Sequence, residues 1–214
     1  ETQAKKHRVY LITGAPILNP DTRQFFNGMM LLGEGSGIYY KRHLVPFGEY
    51  VPLQSIFAKL MNQFKIPMSD FSPGAKNQKP LMIGKFKVAA FICYEIAFPI
   101  EVLDSVKGSN MIITISDDSW FGRSLALAQH MQMAQFRALE TGRPALLSTN
   151  TGISAVISPI GKMVANVPID KRAVIVTEVT PMQGTTPLMW WHYYPIGIIV
   201  LLLLITGFAL RKKE

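Results

Sequence analysis

The sequence predicts an α/β layered domain followed by one C-terminal membrane-spanning helix. Short β-branched runs alternate with helix-like runs over residues 1–187, and this alternation is typical of strands and helices layered around a buried sheet. Two of the runs, 88–92 and 111–116, are apolar on both faces, as expected for strands that are covered on both sides. A 23-residue apolar stretch, 188–210, then precedes a short basic tail.

The strand-like runs are bounded by turn residues, and they comprise 9–13, 29–32, 88–92, 111–116, 145–148 and 174–179. Over Ala126–Thr141 apolar residues recur at helical spacing, and Gly142 directly after them predicts the end of a helix. The segments 151–157 and 164–167 flank a turn that contains Pro159 and Gly161, which predicts a hairpin.

The composition excludes several classes of protein. Of the 214 residues, 49% are hydrophobic and 17% are charged, which is too apolar and too weakly charged for a disordered chain. The net charge is +8, but the basic residues form neither a run nor a stripe with interleaved aromatics, so we expect no nucleic-acid partner. Cys93 is the single cysteine, and the four histidines lack metal-ligand spacing. We therefore expect neither a disulfide framework nor a metal centre.

Residues 188–210 form the predicted membrane span, with His192 as their one potentially charged side chain. As a helix they would extend about 34 Å, enough for a hydrocarbon core of about 30 Å. Tryptophan and tyrosine residues cluster at one end, and three basic residues follow the other. By the positive-inside rule the tail 211–214 is cytoplasmic and residues 1–187 lie on the opposite face. The alternative is a buried core helix, which the almost wholly aliphatic centre disfavours.

Residues 44–80 interrupt the pattern with an irregular stretch rich in proline and glycine. Such a long excursion in a compact domain is usually functional or disordered, and this one is too apolar for disorder. Its segment 54–64 has one apolar face, formed by Ile56, Phe57, Leu60, Met61 and Phe64. That face either enters a membrane interface, as interfacial helices do, or packs on the domain's own core.

Cys93 is the first candidate for chemistry because it directly follows the predicted strand 88–92. Ligands of open α/β sheets bind beyond the carboxyl ends of the strands, whereas a cysteine that ends a core strand is often only a small hydrophobe. The neighbours Tyr94 and Glu95 favour the functional interpretation, because a core strand that simply continued would not carry a carboxylate two residues on.

Lys41 is the second candidate, although a lysine at the end of a strand is usually a solvated edge charge. A cysteine nucleophile needs a lowered pKa and a donor for the developing oxyanion, and a cation beside it supplies both. Glu49 and Glu95 would then be the partners that hold the lysine charged and in place.

The segment 116–122 leaves a predicted strand with two carboxylates, Asp117 and Asp118, and the aromatic pair Trp120 and Phe121. Either it caps a helix and adds core aromatics, or it contributes to a functional site. The residues alone leave both interpretations open.

Together these segments resemble the carbon–nitrogen hydrolase (nitrilase) superfamily, and within it most closely the apolipoprotein N-acyltransferases of the bacterial inner membrane. The resemblance covers nearly the whole chain. The motifs that carry it are 26–28 (FNG), 41–52 (KRHLVPFGEYVP), 92–96 (ICYEI), 116–122 (SDDSWFG), 134–140 (AQFRALE), 148–154 (STNTGIS) and 184–187 (GTTP).

The resemblance implies a four-layer α-β-β-α sandwich on the periplasmic face of the inner membrane, followed by the last helix of a multi-pass protein. The implied catalytic group comprises Cys93 as the nucleophile, Lys41 as the oxyanion-stabilising lysine, and Glu49 and Glu95 as supporting carboxylates. The implied substrate-binding group comprises Asn27, Tyr94 and Trp120.

Two departures from the family pattern matter. The family's general-base glutamate lies upstream of a helix and of the strand that matches 9–13, and Glu1 is too close to that strand to be this base. We therefore expect the base to be missing and this chain alone to be inactive. Asp117 stands where the family often has asparagine, which places an extra potential negative charge near the nucleophile.

The activity implied by the resemblance is ping-pong acyl transfer without a metal or an organic cofactor. The Cys93 thiolate takes an acyl chain from a phospholipid as a thioester, and the diacylglyceryl-modified N-terminal cysteine of an apolipoprotein accepts it. The alternatives are a membrane-tethered nitrilase-type amidase that hydrolyses a small amide and a non-catalytic anchored binding module. The apolar excursion 44–80 beside a membrane anchor favours the acyltransferase over the amidase.

Overall fold

Two β-sheets form the centre of the computed structural model, which describes residues 2–52 and 71–211. The smaller sheet consists of β1 (Tyr10–Leu18), β2 (Phe25–Gly33) and β3 (Gly37–Tyr40), in that spatial order and all antiparallel. The predicted strands 9–13 and 29–32 are thus parts of longer strands. A short helix, α1 (Thr2–Lys6), packs on β2 and buries Ala4.

The larger sheet has six strands in sequence order, β4 to β9. They are β4 (Leu81–Ile83), β5 (Phe86–Ile92), β6 (Met111–Ser116), β7 (Ala145–Thr149), β8 (Ser154–Ile157) and β9 (Met163–Val167). Strands β5, β6 and β7 are parallel to one another, whereas β4, β8 and β9 each pair antiparallel with their neighbours. The predicted strands 88–92, 111–116 and 145–148 and the predicted hairpin are therefore confirmed.

Helices connect the parallel strands, as the crossover between parallel neighbours requires. Helix α2 (Pro99–Val106) lies between β5 and β6, and α3 (Ala126–Thr141) lies between β6 and β7. The predicted bounds of α3 are confirmed, and Gly142 ends it in the left-handed conformation with φ 61°.

The side chains of β5 alternate between two hydrophobic cores. Val88, Ala90 and Ile92 face the smaller sheet and pack with residues such as Met29 and Leu31, whereas Ala89 and Phe91 face the helices. The helix-side core is completed by Ile112, Leu103, Ala134 and Ala138 among others. The two sheets therefore pack face to face with α2 and α3 outside the larger one, which confirms the α/β class. Over the smaller sheet the described residues contribute one helix, α1.

The predicted strand 174–179 is wrong. Residues 171–183 form neither strand nor helix, and the side chains of Val174 and Val176 are 86% and 91% exposed. A β-branched run favours extended backbone, but a strand also needs a neighbouring strand to pair with. None of the nine described strands provides one for this segment.

The excursion 44–80 is irregular where the structure describes it, at 44–52 and 71–80. Both flanks are attached to the region of Lys41: the Gly74 N–H donates to the Lys41 carbonyl oxygen (2.8 Å), and the Phe71 N–H donates to that of Glu49 (3.0 Å). The predicted apolar face within 54–64 lies outside the described residues.

The apolar stretch 188–210 is not one continuous helix. Helix α4 (Pro187–Trp191) and helix α5 (Tyr194–Arg211) are separated at His192, which has φ 49°. Met189 in α4 is buried in the helix-side core, so the packing of α4 on the domain interrupts the predicted span. Among the helices of residues 2–52 and 71–211, none is found to have the length and apolarity of a membrane span, so that prediction is not confirmed.

Candidate active site

Cys93 lies where β5 ends and a short 3₁₀ helix, Cys93–Ala97, begins. Its φ of 53° is in the left-handed region, where a residue other than glycine is uncommon and is often functional. Burial raises the pKa of the thiol, and the charge of Asp118 raises it further. The Ser116 hydroxyl, the Lys41 charge and the Tyr94 N–H lower the pKa but do not outweigh burial. The thiol form is thus favoured until a base removes its proton.

Lys41 directly follows β3, and its side chain is only 1% exposed. Its Nζ lies 2.7 Å from Oε2 of Glu49. The same carboxylate accepts hydrogen bonds from the Asn27 side-chain amide and the Val45 N–H, both at 2.8 Å. The predicted pairing of Lys41 with Glu49 is therefore present in the structure, and the charge of Lys41 acts on Cys93 as expected.

Glu95 is fully buried and accepts hydrogen bonds from four donors. Three are backbone N–H groups, of Ile92 (2.7 Å), Arg42 (2.8 Å) and His43 (3.2 Å), and the fourth is the Tyr39 hydroxyl (2.9 Å). Burial raises the pKa of Glu95, although each donor favours the carboxylate. We expected Glu95 to hold the lysine directly. Instead it fixes the backbone that follows Lys41 against the end of β5.

The three predicted substrate-binding residues occupy different positions. Asn27 lies in β2, and its side-chain amide donates a hydrogen bond to Glu49, so it supports the ion pair of Glu49 with Lys41. Tyr94 is partly exposed next to Cys93, and its ring packs edge-on against those of His43 and Phe98. Trp120 is 78% exposed on the segment that follows β6, which leaves its ring free to contact a substrate.

In the segment after β6, one aspartate caps a helix and the other lies in the candidate site, so each of the two interpretations left open by the sequence applies to one of them. Asp117 caps the 3₁₀ helix Asp118–Phe121 by accepting a hydrogen bond from the Ser119 N–H (3.1 Å). Asp118, by contrast, is buried and lies against His130, while Phe121 is exposed rather than in the core.

Sequence reasoning left the role of Asp118 open and did not single out Ser116, His130 or Tyr39; all four contact Cys93 or Glu95 or a partner of theirs. One signal was available for Ser116 in the sequence: it is the last residue of the predicted strand 111–116, as Cys93 directly follows the predicted strand 88–92. The structure pairs these two strands in parallel, with Ile92 opposite Ile115. Over the described parts of the chain, no group of three or more His, Cys, Asp or Glu side chains is placed to hold a metal ion.

A family model described as carbon-nitrogen hydrolase matches residues 1–186, which include every candidate site residue. The chain belongs to the carbon–nitrogen hydrolase family. This membership agrees with the α/β fold described above.

This carbon–nitrogen hydrolase chain is similar to curated proteins named apolipoprotein N-acyltransferase. It is 50% identical over 207 residues to the one from Coxiella burnetii, covering 96% of this chain and 43% of the relative. It is 43% identical over 214 residues to the one from Azotobacter vinelandii, covering 99% of this chain and 41% of the relative. The chain thus spans about two fifths of the length of these relatives.

Solved structures support the carbon–nitrogen hydrolase fold. A carbon-nitrogen hydrolase from Helicobacter pylori superposes with a TM-score of 0.61 at 17% identity, over 80% of this chain and 62% of that one. Nit3 of Saccharomyces cerevisiae, a member of the nitrilase superfamily, gives 0.57 at 21% identity, over 80% of this chain and 60% of that one. At such identities the likeness concerns the fold alone.

Proposed function

We propose that this chain carries the nucleophile of an N-acyltransferase that matures lipoproteins. The donor is a phospholipid, the acceptor is the diacylglyceryl-modified N-terminal cysteine of an apolipoprotein, and the acyl chain passes through a thioester on Cys93. The names of the similar curated proteins support the activity. The observation that carries the proposal is the left-handed Cys93 at the end of β5 under the influence of the buried Lys41.

In the first half-reaction the Cys93 thiol loses its proton to a base, and its sulfur attacks the ester carbonyl of the phospholipid. Lys41 and backbone N–H groups stabilise the tetrahedral oxyanion. The carbon–oxygen ester bond then breaks, the proton goes to the leaving oxygen, and a lysophospholipid departs. In the second half-reaction the α-amine of the acceptor attacks the thioester, the sulfur leaves as thiolate, and an amide is formed.

The three carboxylates described near Cys93, of which Glu95 and Asp118 are buried, are poorly suited to be the base because each already accepts several hydrogen bonds. Glu49 is paired with Lys41, Glu95 has four donors, and Asp118 is held by Ser116 and His130. Each donor favours the ionised carboxylate and occupies an oxygen that the Cys93 proton would need, although burial raises the pKa of Glu95. This supports the expectation that the base lies elsewhere than among these residues.

We place the reaction at the periplasmic face of a bacterial inner membrane. Support comes from α5, where the aliphatic side chains are about half exposed or more; they include Ile196, Ile198, Ile199, Val200, Leu201, Leu202, Leu203 and Leu204. An unbroken exposed row of this kind gains free energy from contact with lipid, at about 25 cal/mol per Å² of apolar surface removed from water. In the proposal α5 therefore holds the domain at the bilayer that supplies the acyl donor.

The test is acyl transfer by the full-length gene product, with phospholipid vesicles as donor and a diacylglyceryl-modified peptide as acceptor. We expect Cys93→Ala and Cys93→Ser to abolish N-acylation while the unfolding temperature stays near that of the parent. Serine fails because its alkoxide has a far higher pKa than a thiolate. Retained N-acylation in either variant would contradict the proposal. Hydrolysis of a small amide without N-acylation would favour the amidase instead.

A further inference from the structure

His130 is a buried residue of α3, and both of its ring nitrogens have partners near Cys93. Nδ1 lies 3.1 Å from Oδ1 and 3.3 Å from Oδ2 of Asp118. Nε2 lies 3.1 Å from the backbone carbonyl oxygen of Cys93. The ring therefore connects a buried carboxylate to the backbone of the proposed nucleophile.

Both partners of the ring are hydrogen-bond acceptors. A carbonyl oxygen can only accept, so Nε2 must carry a hydrogen in its contact with Cys93. The pKa of Asp118 is lowered: burial raises it, but hydrogen bonds from His130 and from Ser116 are among the influences that lower it. An ionised carboxylate also only accepts, so Nδ1 must carry a hydrogen as well. An imidazole ring with hydrogens on both nitrogens is an imidazolium.

The surroundings of the ring match this charge. Among the described residues, the ring has hydrogen-bond partners in Asp118, from the segment after β6, and in the backbone of Cys93, from the segment after β5. Glu95 shares the 3₁₀ helix of Cys93 but is directed to Tyr39 and to the backbone of Arg42 and His43. One carboxylate thus balances one imidazolium.

We propose that His130 is an imidazolium held by Asp118, and that it positions Cys93 by donating an Nε2 hydrogen bond to the Cys93 carbonyl oxygen. The claim that His130 positions a nucleophile rests on the proposed function, because that function makes Cys93 the nucleophile. The claim that the His130 ring is charged does not depend on it. His130 is a positioning residue, since it acts through the backbone of Cys93 and not on the acyl group.

The geometry shows why Cys93 benefits from such a donor. A left-handed φ at a residue with a side chain is strained and persists only where the surroundings impose it. The bond from His130 fixes the carbonyl side of this residue, and the Ser116 hydroxyl contacts its sulfur. Ser116 also donates to Oδ1 of Asp118 (2.5 Å), so a ring of contacts returns from the sulfur to the carbonyl oxygen of the same residue.

Gly152 packs directly against the side chain of Asp118. A Cβ at this position would lie 2.1 Å from Oδ2 of Asp118 and 2.9 Å from its Cγ. Because a carboxylate on a single methylene has little room to move, only glycine allows Asp118 to reach His130. The cluster is therefore closely packed on the side opposite the ring.

The charge is tested by ¹⁵N NMR on the purified protein with labelled histidine, with His130→Gln used to assign the signal. We expect both His130 nitrogens to show the shifts of a protonated imidazolium at neutral pH. The exposed His7, which lies outside this cluster, serves as the reference signal in the same spectrum. A neutral single-tautomer pattern at His130 near pH 7 would overturn the proposal.

The positioning role is tested by the rate at which iodoacetamide alkylates Cys93, which needs no lipid substrate. Loss of a charge-assisted hydrogen bond weakens an interaction by about 1.5–3 kcal/mol, so we expect His130→Gln to lower the rate about tenfold or more. Gln129→Ala, exposed and adjacent on α3, should react like the parent. Circular dichroism confirms that each variant is folded.

Asp118→Asn is the second variant and keeps the histidine. We expect it to convert His130 to the neutral form in the NMR spectrum, and a retained imidazolium in the folded variant would overturn the assignment of its charge to Asp118. Unchanged alkylation in folded His130→Gln would overturn the positioning role, whatever the result of the acyl-transfer assay.

Discussion

Lys41 and Glu49 form an ion pair with 2.7 Å between Nζ and Oε2, at a place where the lysine is almost completely removed from water. The carboxylate is fixed independently by Asn27 and by the Val45 N–H. A buried charge is tolerated only when it is paired and hydrogen-bonded. The pair therefore explains how the protein keeps a cation beside Cys93.

Glu49→Gln should leave Lys41 buried without its counter-charge. Removal of one partner from a buried pair costs about 3–5 kcal/mol, and we expect the free energy of unfolding in denaturant to fall by that order. Glu34→Gln, at an exposed carboxylate, is the control and should change it by less than about 0.5 kcal/mol. Equal effects of the two substitutions would show that the pair contributes nothing.

Lys41→Met should raise the pKa of the Cys93 thiol, because the Lys41 charge is one of the influences that lower it. The measurement is the alkylation rate of Cys93 as a function of pH, and we expect its rise to move to higher pH. Lys162→Met removes an exposed cation from the β8–β9 hairpin and should leave the profile unchanged. An identical profile in Lys41→Met would refute electrostatic control by this lysine.

The stabilisation that Asp118 contributes to the folded protein should be lost in acid. Its pKa in the folded state lies below the ordinary 3.8, despite burial, because of its bonds to His130 and Ser116. A lowered pKa contributes stability that is present above the unfolded value and is lost as pH falls through the folded one. We therefore expect the difference in unfolding free energy between the parent and Asp118→Asn to shrink from about pH 6 to about pH 3. A difference that grows over this range would contradict the assignment.

Trp120→Ala should separate function from stability. The side chain is largely exposed, so its removal should shift the unfolding temperature by little. If Trp120 contacts the substrate, N-acylation from vesicles should fall. Ile160→Ala removes an exposed apolar side chain from the β8–β9 turn and should leave N-acylation unchanged. Full activity in Trp120→Ala would remove this residue from the substrate site.

Some of the candidate site residues could be predicted from the sequence, because the strand pattern around them or the chemistry of a cysteine nucleophile indicates them. Cys93 ends a strand that is apolar on both faces, and such strands are recognisable because every residue is buried. Lys41 and Glu49 could be chosen because a cysteine nucleophile needs a cation and the cation needs a partner. The α/β class, β5 to β7 and α3 followed from the same kind of periodicity.

Other features depend on contacts between distant segments. The apolar spacing that predicts α3 includes Ala134 and Ala138, which are buried, and Leu139, which is half exposed. The buried face also contains Leu127 and His130, which that spacing did not include. A titratable residue on that face was a signal for His130. Its partner Asp118 comes from another segment, and only the fold brings the two together. Likewise the run 174–179 has strand-like residues but no described strand beside it.

The most direct test of the account is peptide mass spectrometry of the full-length gene product after exposure to phospholipid vesicles without acceptor. We predict one added acyl group, located on Cys93 and released by hydroxylamine as a thioester is, with the modification lost in Cys93→Ala. Addition of a diacylglyceryl-modified peptide should move the acyl group to the peptide's N-terminal amine. An acyl group on a different residue, or N-acylation that proceeds in Cys93→Ala, would contradict the account.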